Sequence, residues 1–183
     1  MELTPLTALS AVDGRYRKQV QHLDEYFSEY GLMKYRVQIE IAYLLFLEKK
    51  KFCKLPAKAV KHLQVLAEKF GPDEAQAIKQ IEATTNHDVK AVEYFLKDEL
   101  EKCGGAEAKE WVHFGLTSQD INNTAIPLLW KHSIEYEYLP ALLNLNTELR
   151  ILAENWKDIP LLARQLLERL GQHLGEDEAA VAV

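Results

Sequence analysis

Apolar residues recur along this chain every three or four positions. Tyr30, Met33, Val37, Ile41 and Leu44 share one helical face. Leu32, Ile39, Tyr43, Phe46 and Leu47 add apolar groups around it, so this helix is expected to be covered on more than one side. Val60, Leu63, Ala67 and Phe70 form the next stripe, after Pro56 in a first-turn position. Gly71-Pro72 ends that helix and opens another bearing Ala75, Ile78 and Ile81. Val89, Val92, Leu96 and Leu100 mark a further helix, closed by Gly104-Gly105. Tyr138, Leu142, Leu145, Leu149, Leu152 and Trp156 then step in alternating fours and threes, the near-heptad seam of a helix packed lengthwise in a bundle. Ahead of that seam, Pro127 is expected to kink or break the helix that starts near Ser118, and Pro140 marks a fresh start. No segment alternates with the period of a strand. The pattern predicts an all-α fold, with the small-residue run Cys103–Lys109 (CGGAEAK) as the one candidate boundary.

Composition narrows the function classes. A chain of 183 residues with 48% hydrophobic and 27% charged residues is ordinary for a soluble globular protein, with room for one sizeable domain or two small ones sharing a core. The net charge of −6 argues against a general nucleic-acid or anionic-membrane binder, while leaving room for a local anion pocket. Cys53 and Cys103 are far apart and form neither a disulfide framework nor a zinc pattern, so a reducing cytoplasm is expected. No signal-peptide pattern opens the chain, and no apolar run approaches membrane-spanning length. Phosphate loops, dinucleotide fingerprints, nucleophile elbows and histidine spacings suited to metal are all absent.

Three polar clusters interrupt the helices. Asp13-Gly14-Arg15-Tyr16 carries a turn signal followed by an arginine, a planar fork suited to phosphate or carboxylate; a surface arginine beside a turn fits the same residues. In Asn86-His87-Asp88, Asp88 is placed to cap the following helix, and free N–H groups there suit an anionic ligand; a capped helix with a solvated histidine fits as well. In His113-Phe114-Gly115-Leu116-Thr117-Ser118-Gln119-Asp120, Thr117 and Asp120 have capping-box-like spacing and Ser118 is the alternative cap. Two hydroxyls and exposed amides make that helix start either another anion cradle or a plain cap, and a buried His113 that orients only structural neighbours is an equal reading.

Taken in order, DGRY, TTNHDVKAVEYFL and HFGLTSQDINNT within an all-helical frame resemble the adenylosuccinate lyases of the fumarase/aspartase superfamily, in their bacterial purine-biosynthetic branch, over about residues 1–164. The resemblance implies an N-terminal helical domain over 1–109, the first long helices of a central bundle over 110–164, and a divergent tail over 165–183. It implies a fumarate-releasing β-elimination of a C–N bond, from adenylosuccinate to give AMP and from the succinyl-carboxamide ribotide, in which a base removes a proton beside a carboxylate and an acid protonates the leaving nitrogen. By the same resemblance Arg15 and Tyr16 hold the phosphoribosyl end, and Asn86, His87 and Asp88 line the pocket, with His87 near the succinyl group as the catalytic candidate. Thr117 and Ser118 bind a carboxylate, and His113 orients the substrate. No metal or organic cofactor is implied. The partners implied are the small-molecule substrate and other copies of the chain, since the family is tetrameric with active sites built from several subunits; no nucleic acid or membrane is implied.

The tail departs from the family. After Arg164 the family continues with a Thr-His-Gly-Gln motif, whose histidine is its general acid, and later with the loop that supplies the serine base; here the chain reads QLLERLGQHLGEDEAAVAV, and His173 is no match. Two expectations follow: a lyase portion that is inactive alone, or a non-catalytic helical interaction and oligomerisation module that uses the seam.

Overall fold

Helix α3 (Glu29–Lys49) organises the molecule because it is apolar nearly all round. Tyr30, Met33, Val37, Ile41, Leu44 and Leu47 are buried among α4 (Ala57–Lys69), α5 (Pro72–Thr85) and α6 (Asp88–Lys102). From α4 come Ala59, Leu63 and Leu66, from α5 Ala75 and Ile78, and from α6 Val92, Phe95, Leu96 and Leu100. Two short helices precede it, α1 (Arg17–Val20) and α2 (Asp24–Phe27), and α7 (Ser118–Ser133) and α8 (Leu139–Asn155) follow. This computed structural model describes residues 1–155 and 165–171, and no strand occurs among them. The all-α expectation holds, and no described helix is long and apolar enough to cross a membrane.

The start of α3 depends on close backbone approach. Ser28 caps the helix by accepting the Gly31 N–H at 3.1 Å, and its hydroxyl donates to the Asp24 carbonyl at 2.6 Å. A Cβ on Gly31 would fall 2.6 Å from the Tyr26 carbonyl oxygen, so only glycine lets α2 turn directly into α3.

The chain divides into two compact units after Lys131. In the first, α7 lays Ala125 and Leu129 against Tyr35 of α3. The expected break at Pro127 does not occur, for α7 runs through it. Proline removes one donor from the helix, a penalty on the order of 3 kcal/mol, and the buried Ile121, Ala125 and Leu129 face offsets it. In the second unit a π-helical turn (Ile134–Tyr138) leads into α8, which starts beside Pro140 as expected. The seam there is largely uncovered: Leu142 and Leu149 are half-buried, whereas Tyr138, Leu145 and Leu152 are exposed. Trp156 and His173 lie outside the described residues.

Candidate functional site

Two charged side chains sit inside the packed face of α3. Arg36 and Glu40, one turn apart, are both buried. Arg36 Nη2 pairs with Asp88 Oδ2 at 2.7 Å, and its Nε donates to Asn122 Oδ1 at 3.0 Å. Glu40 Oε1 meets His113 Nδ1 at 2.5 Å. One turn further, the Tyr43 hydroxyl donates to the Phe114 carbonyl at 3.0 Å. Consecutive turns of one helix thus hold the mouth of α6, the first turns of α7 and the loop between them.

The mouth of α6 is built by three residues in three conformations. Asn86 is left-handed at φ 50° and closes α5, its N–H donating to the Glu82 carbonyl at 2.8 Å. His87 is extended and caps α6, its Nδ1 accepting the Lys90 N–H at 3.2 Å. This corrects the expected cap at Asp88, which is the first helical residue and is drawn to Arg36 instead. A ring that accepts at Nδ1 carries its proton on Nε2, so half-exposed His87 keeps an N–H donor there. Burial pushes the Asp88 carboxyl up, but the Val89 N–H at 2.8 Å and the Arg36 guanidinium outweigh it and hold the carboxyl below its ordinary value.

At the mouth of α7, Asp120 Oδ2 accepts both the Thr117 N–H at 2.7 Å and the Thr117 hydroxyl at 2.8 Å. That is half of a capping box, since the threonine hydroxyl points to the carboxylate rather than to a backbone donor. Ser118 begins the helix with its hydroxyl unbonded among the described residues. The two bonds from Thr117 hold the Asp120 carboxyl low.

The N-terminal cluster is arranged differently. Arg17, not Arg15, is the structural cation: it forks onto the fully buried Asp24 at 2.7 and 2.5 Å and reaches Asp13 Oδ1 at 2.8 Å. Asp13 also accepts the Leu9 and Ser10 N–H groups, at 2.6 and 2.8 Å. Arg15 and Tyr16 are exposed, with the guanidinium 5.7 Å from the centroid of the tyrosine ring and no carboxylate partner among the described residues.

The structure therefore groups Asp88, His113 and the first turns of α7 around α3, with Asn86 and His87 beside Asp88 and with Thr117 and Ser118 opening α7. The α3 network does not reach Arg15 and Tyr16. Arg36, Glu40, Asn122 and Arg17 were not legible as site residues from spacing. The available signal was a pair of charges at i and i+4 within a helix apolar on several sides, where a charge has to find a partner. Among the described residues no group of His, Cys, Asp and Glu could hold a metal ion.

A family model described as "Lyase" matches residues 14–169. The adenylosuccinate lyase of Dictyostelium discoideum is 51% identical over 173 residues, covering 90% of this chain and 37% of that protein. Those of Vibrio cholerae and Escherichia coli K12 are 45% and 44% identical over 169 residues, again 90% of this chain and 37% of each relative. The chain spans about 37% of the length of the curated relatives it matches.

Proposed function

The chain belongs to this lyase family, and from that premise we propose that it forms the N-terminal substrate-binding portion of an adenylosuccinate lyase. The reaction is release of fumarate from adenylosuccinate, giving AMP, and from the succinyl-carboxamide ribotide. The observation that carries this reading is that the TTNHD and HFGLTSQD segments hang on one buried stretch of α3, through Arg36 to Asp88 and Asn122 and through Glu40 to His113. A substrate bearing a phosphate and two carboxylates needs several anion-binding donors. His87 Nε2–H, the Ser118 hydroxyl and the free amides at the α7 start are of that kind.

His87 is the catalytic candidate and faces the succinyl group; Asn86 and Asp88 line the pocket; His113 orients the substrate; Thr117 and Ser118 take a carboxylate. Arg15, with no carboxylate to hold it, and Tyr16 take the phosphate end. Neither the Thr-His-Gly-Gln motif nor the serine loop occurs in the 183 residues, so these residues bind and orient while the acid and base come from elsewhere. The working protein is a cytoplasmic homo-oligomer in this reading, with pockets completed by other copies.

Calorimetry and a fumarate assay on the 183-residue chain test the reading together. Weak AMP binding without fumarate release is expected. Turnover on the order of 10 per second would overturn the division of labour, and absence of AMP binding would overturn the binding role. A second reading, a non-catalytic interaction module, is favoured by the exposed Leu139, Leu143, Leu145, Ile151 and Leu152 of α8. Sedimentation that depends on α8 in a chain that binds no nucleotide would support that reading instead.

A further inference from the structure

Glu40 is the least expected side chain in the core. It is 1% exposed, and its Oε2 has no hydrogen-bond partner among the described residues. A carboxylate left half-satisfied in an apolar core costs stability that a neutral side chain of the same size would not. Its surroundings give it one partner. Arg36, one turn away, is committed to Asp88 and Asn122. Glu93 of α6 faces Glu40 with like charge and is itself held by Lys90 at 2.6 Å and Lys97 at 3.0 Å. Asp120, which also feels the charge of His113, is tied to Thr117. That leaves His113, which reaches the carboxylate through its ring Nδ1 and also through its backbone N–H. The histidine meets it from a left-handed backbone at φ 61°, a conformation that costs energy for any residue but glycine and that tends to persist where function needs it.

We propose that Glu40 is a positioning residue for His113: its carboxylate accepts the hydrogen bond from Nδ1–H, fixes the ring's tautomer and orientation, and leaves Nε2 as the nitrogen that meets the substrate. No other hydrogen bond of the ring occurs among the described residues, so Nε2 is uncommitted. A carboxylate behind Nδ1 also compensates the positive charge the ring carries whenever Nε2 donates to an anionic oxygen, which suits a ligand bearing carboxylates. Burial raises the Glu40 carboxyl above its ordinary value, and the His113 contact works against that rise. The proposal rests on the reading that His113 orients substrate, and its test separates the two.

Ring-nitrogen NMR of His113 in the full 183-residue chain is expected to show Nδ1 protonated, and Glu40→Gln is expected to change those signals. In calorimetry with adenylosuccinate, Glu40→Gln and His113→Ala are each expected to weaken binding about tenfold, with the double variant no weaker than His113→Ala. A residue that only fills space would weaken binding equally in the His113→Ala background. A wild-type ring protonated only on Nε2, unchanged ring signals in Glu40→Gln, or additive losses would overturn the proposal. If the wild-type chain binds no adenylosuccinate, the substrate reading fails while the ring signals still decide the pairing. If Glu40→Gln does not fold, Glu40→Asp, one methylene shorter, is expected to change the same ring signals.

Discussion

Helices α6 and α8 carry the same kind of apolar stripe and end up differently. In α6, Val89, Val92, Leu96 and Leu100 are buried almost completely against α3 and α5. In α8, Leu145 is 54% and Leu152 47% exposed, and Leu149 between them is only half-covered. Spacing in threes and fours specifies which face of a helix seeks apolar contact, not whether this chain supplies the contact. The N-terminal unit covers its stripes internally, whereas the α8 stripe stays largely exposed.

The largest expected effect tests that contrast directly. Leu100→Ala should destabilise the N-terminal unit by about 2–5 kcal/mol, the range for deleting a buried leucine. Leu145→Ala in α8 should change stability by less than about 0.5 kcal/mol, as exposed substitutions do, while reducing self-association. Chemical denaturation and sedimentation velocity check the pair. Equal losses of stability would mean that α8 is as well packed as α6, and a compact wild-type monomer at micromolar concentration would remove the case for an associating seam.

The contrast also marks what the sequence made legible. Met33, Val37, Ile41, Leu44, Leu63 and Ile78 were readable as core because burial follows periodicity. Arg36 and Glu40 were not, because a charge on a helix ordinarily marks the solvent face, and only their partners on α6, α7 and the 113–114 loop reverse that. The helix at the TTNHD mouth was readable, but its cap was not. Aspartate is the better capper by propensity, and Arg36, remote in sequence, draws Asp88 away and leaves the position to His87. In the same way the first cluster pointed to an arginine after a turn, and Asp24 selects Arg17 over Arg15 for the structural role.

A second comparison concerns arginines with and without a structural task. Arg36→Met should cost on the order of 1.5–3 kcal/mol of stability, because it removes two hydrogen bonds of a charged donor and frees Asp88. Arg15→Ala should leave the melting temperature unchanged and weaken AMP binding instead. Thermal melts and AMP titrations of both variants check this. A stability loss in Arg15→Ala would show that it, too, is part of the scaffold.

The pH dependence separates the same helices more gently. Burial pushes the Glu93 carboxyl up, but Lys90 and Lys97 outweigh it and hold the value down; Lys102 and His62 do the same for Glu99. A folded value below the unfolded one gives stability that is complete above the ordinary carboxylate range and is lost as pH falls through the lower folded value. Glu40 runs the other way: raised by burial, it contributes stability that is complete below its ordinary value and is lost as pH rises through the raised one. Wild type should therefore lose stability on acidification, and Glu40→Gln should gain on wild type as pH rises. Urea midpoints measured across the acid range check both slopes, and a stability difference independent of pH would contradict the assignment for Glu40.

The smallest expected effect lies at His87, where the comparison narrows to one helix end. Its Nδ1 satisfies a backbone donor at the start of α6, which leaves the N–H at Nε2 of a half-exposed ring. His87→Ala removes both and should cost roughly 0.5–1 kcal/mol of stability, the lower part of the range for losing a cap. His87→Asn keeps an acceptor at the cap position and should restore most of that stability, but its shorter side chain cannot place a donor where Nε2–H was. The two variants should therefore differ in melting temperature and agree in their weakened affinity for adenylosuccinate, with AMP binding affected less in both. If Asn restored adenylosuccinate binding along with stability, His87 would act on the substrate only by starting the helix, and the catalytic candidate would have to be sought elsewhere in the cluster around α3.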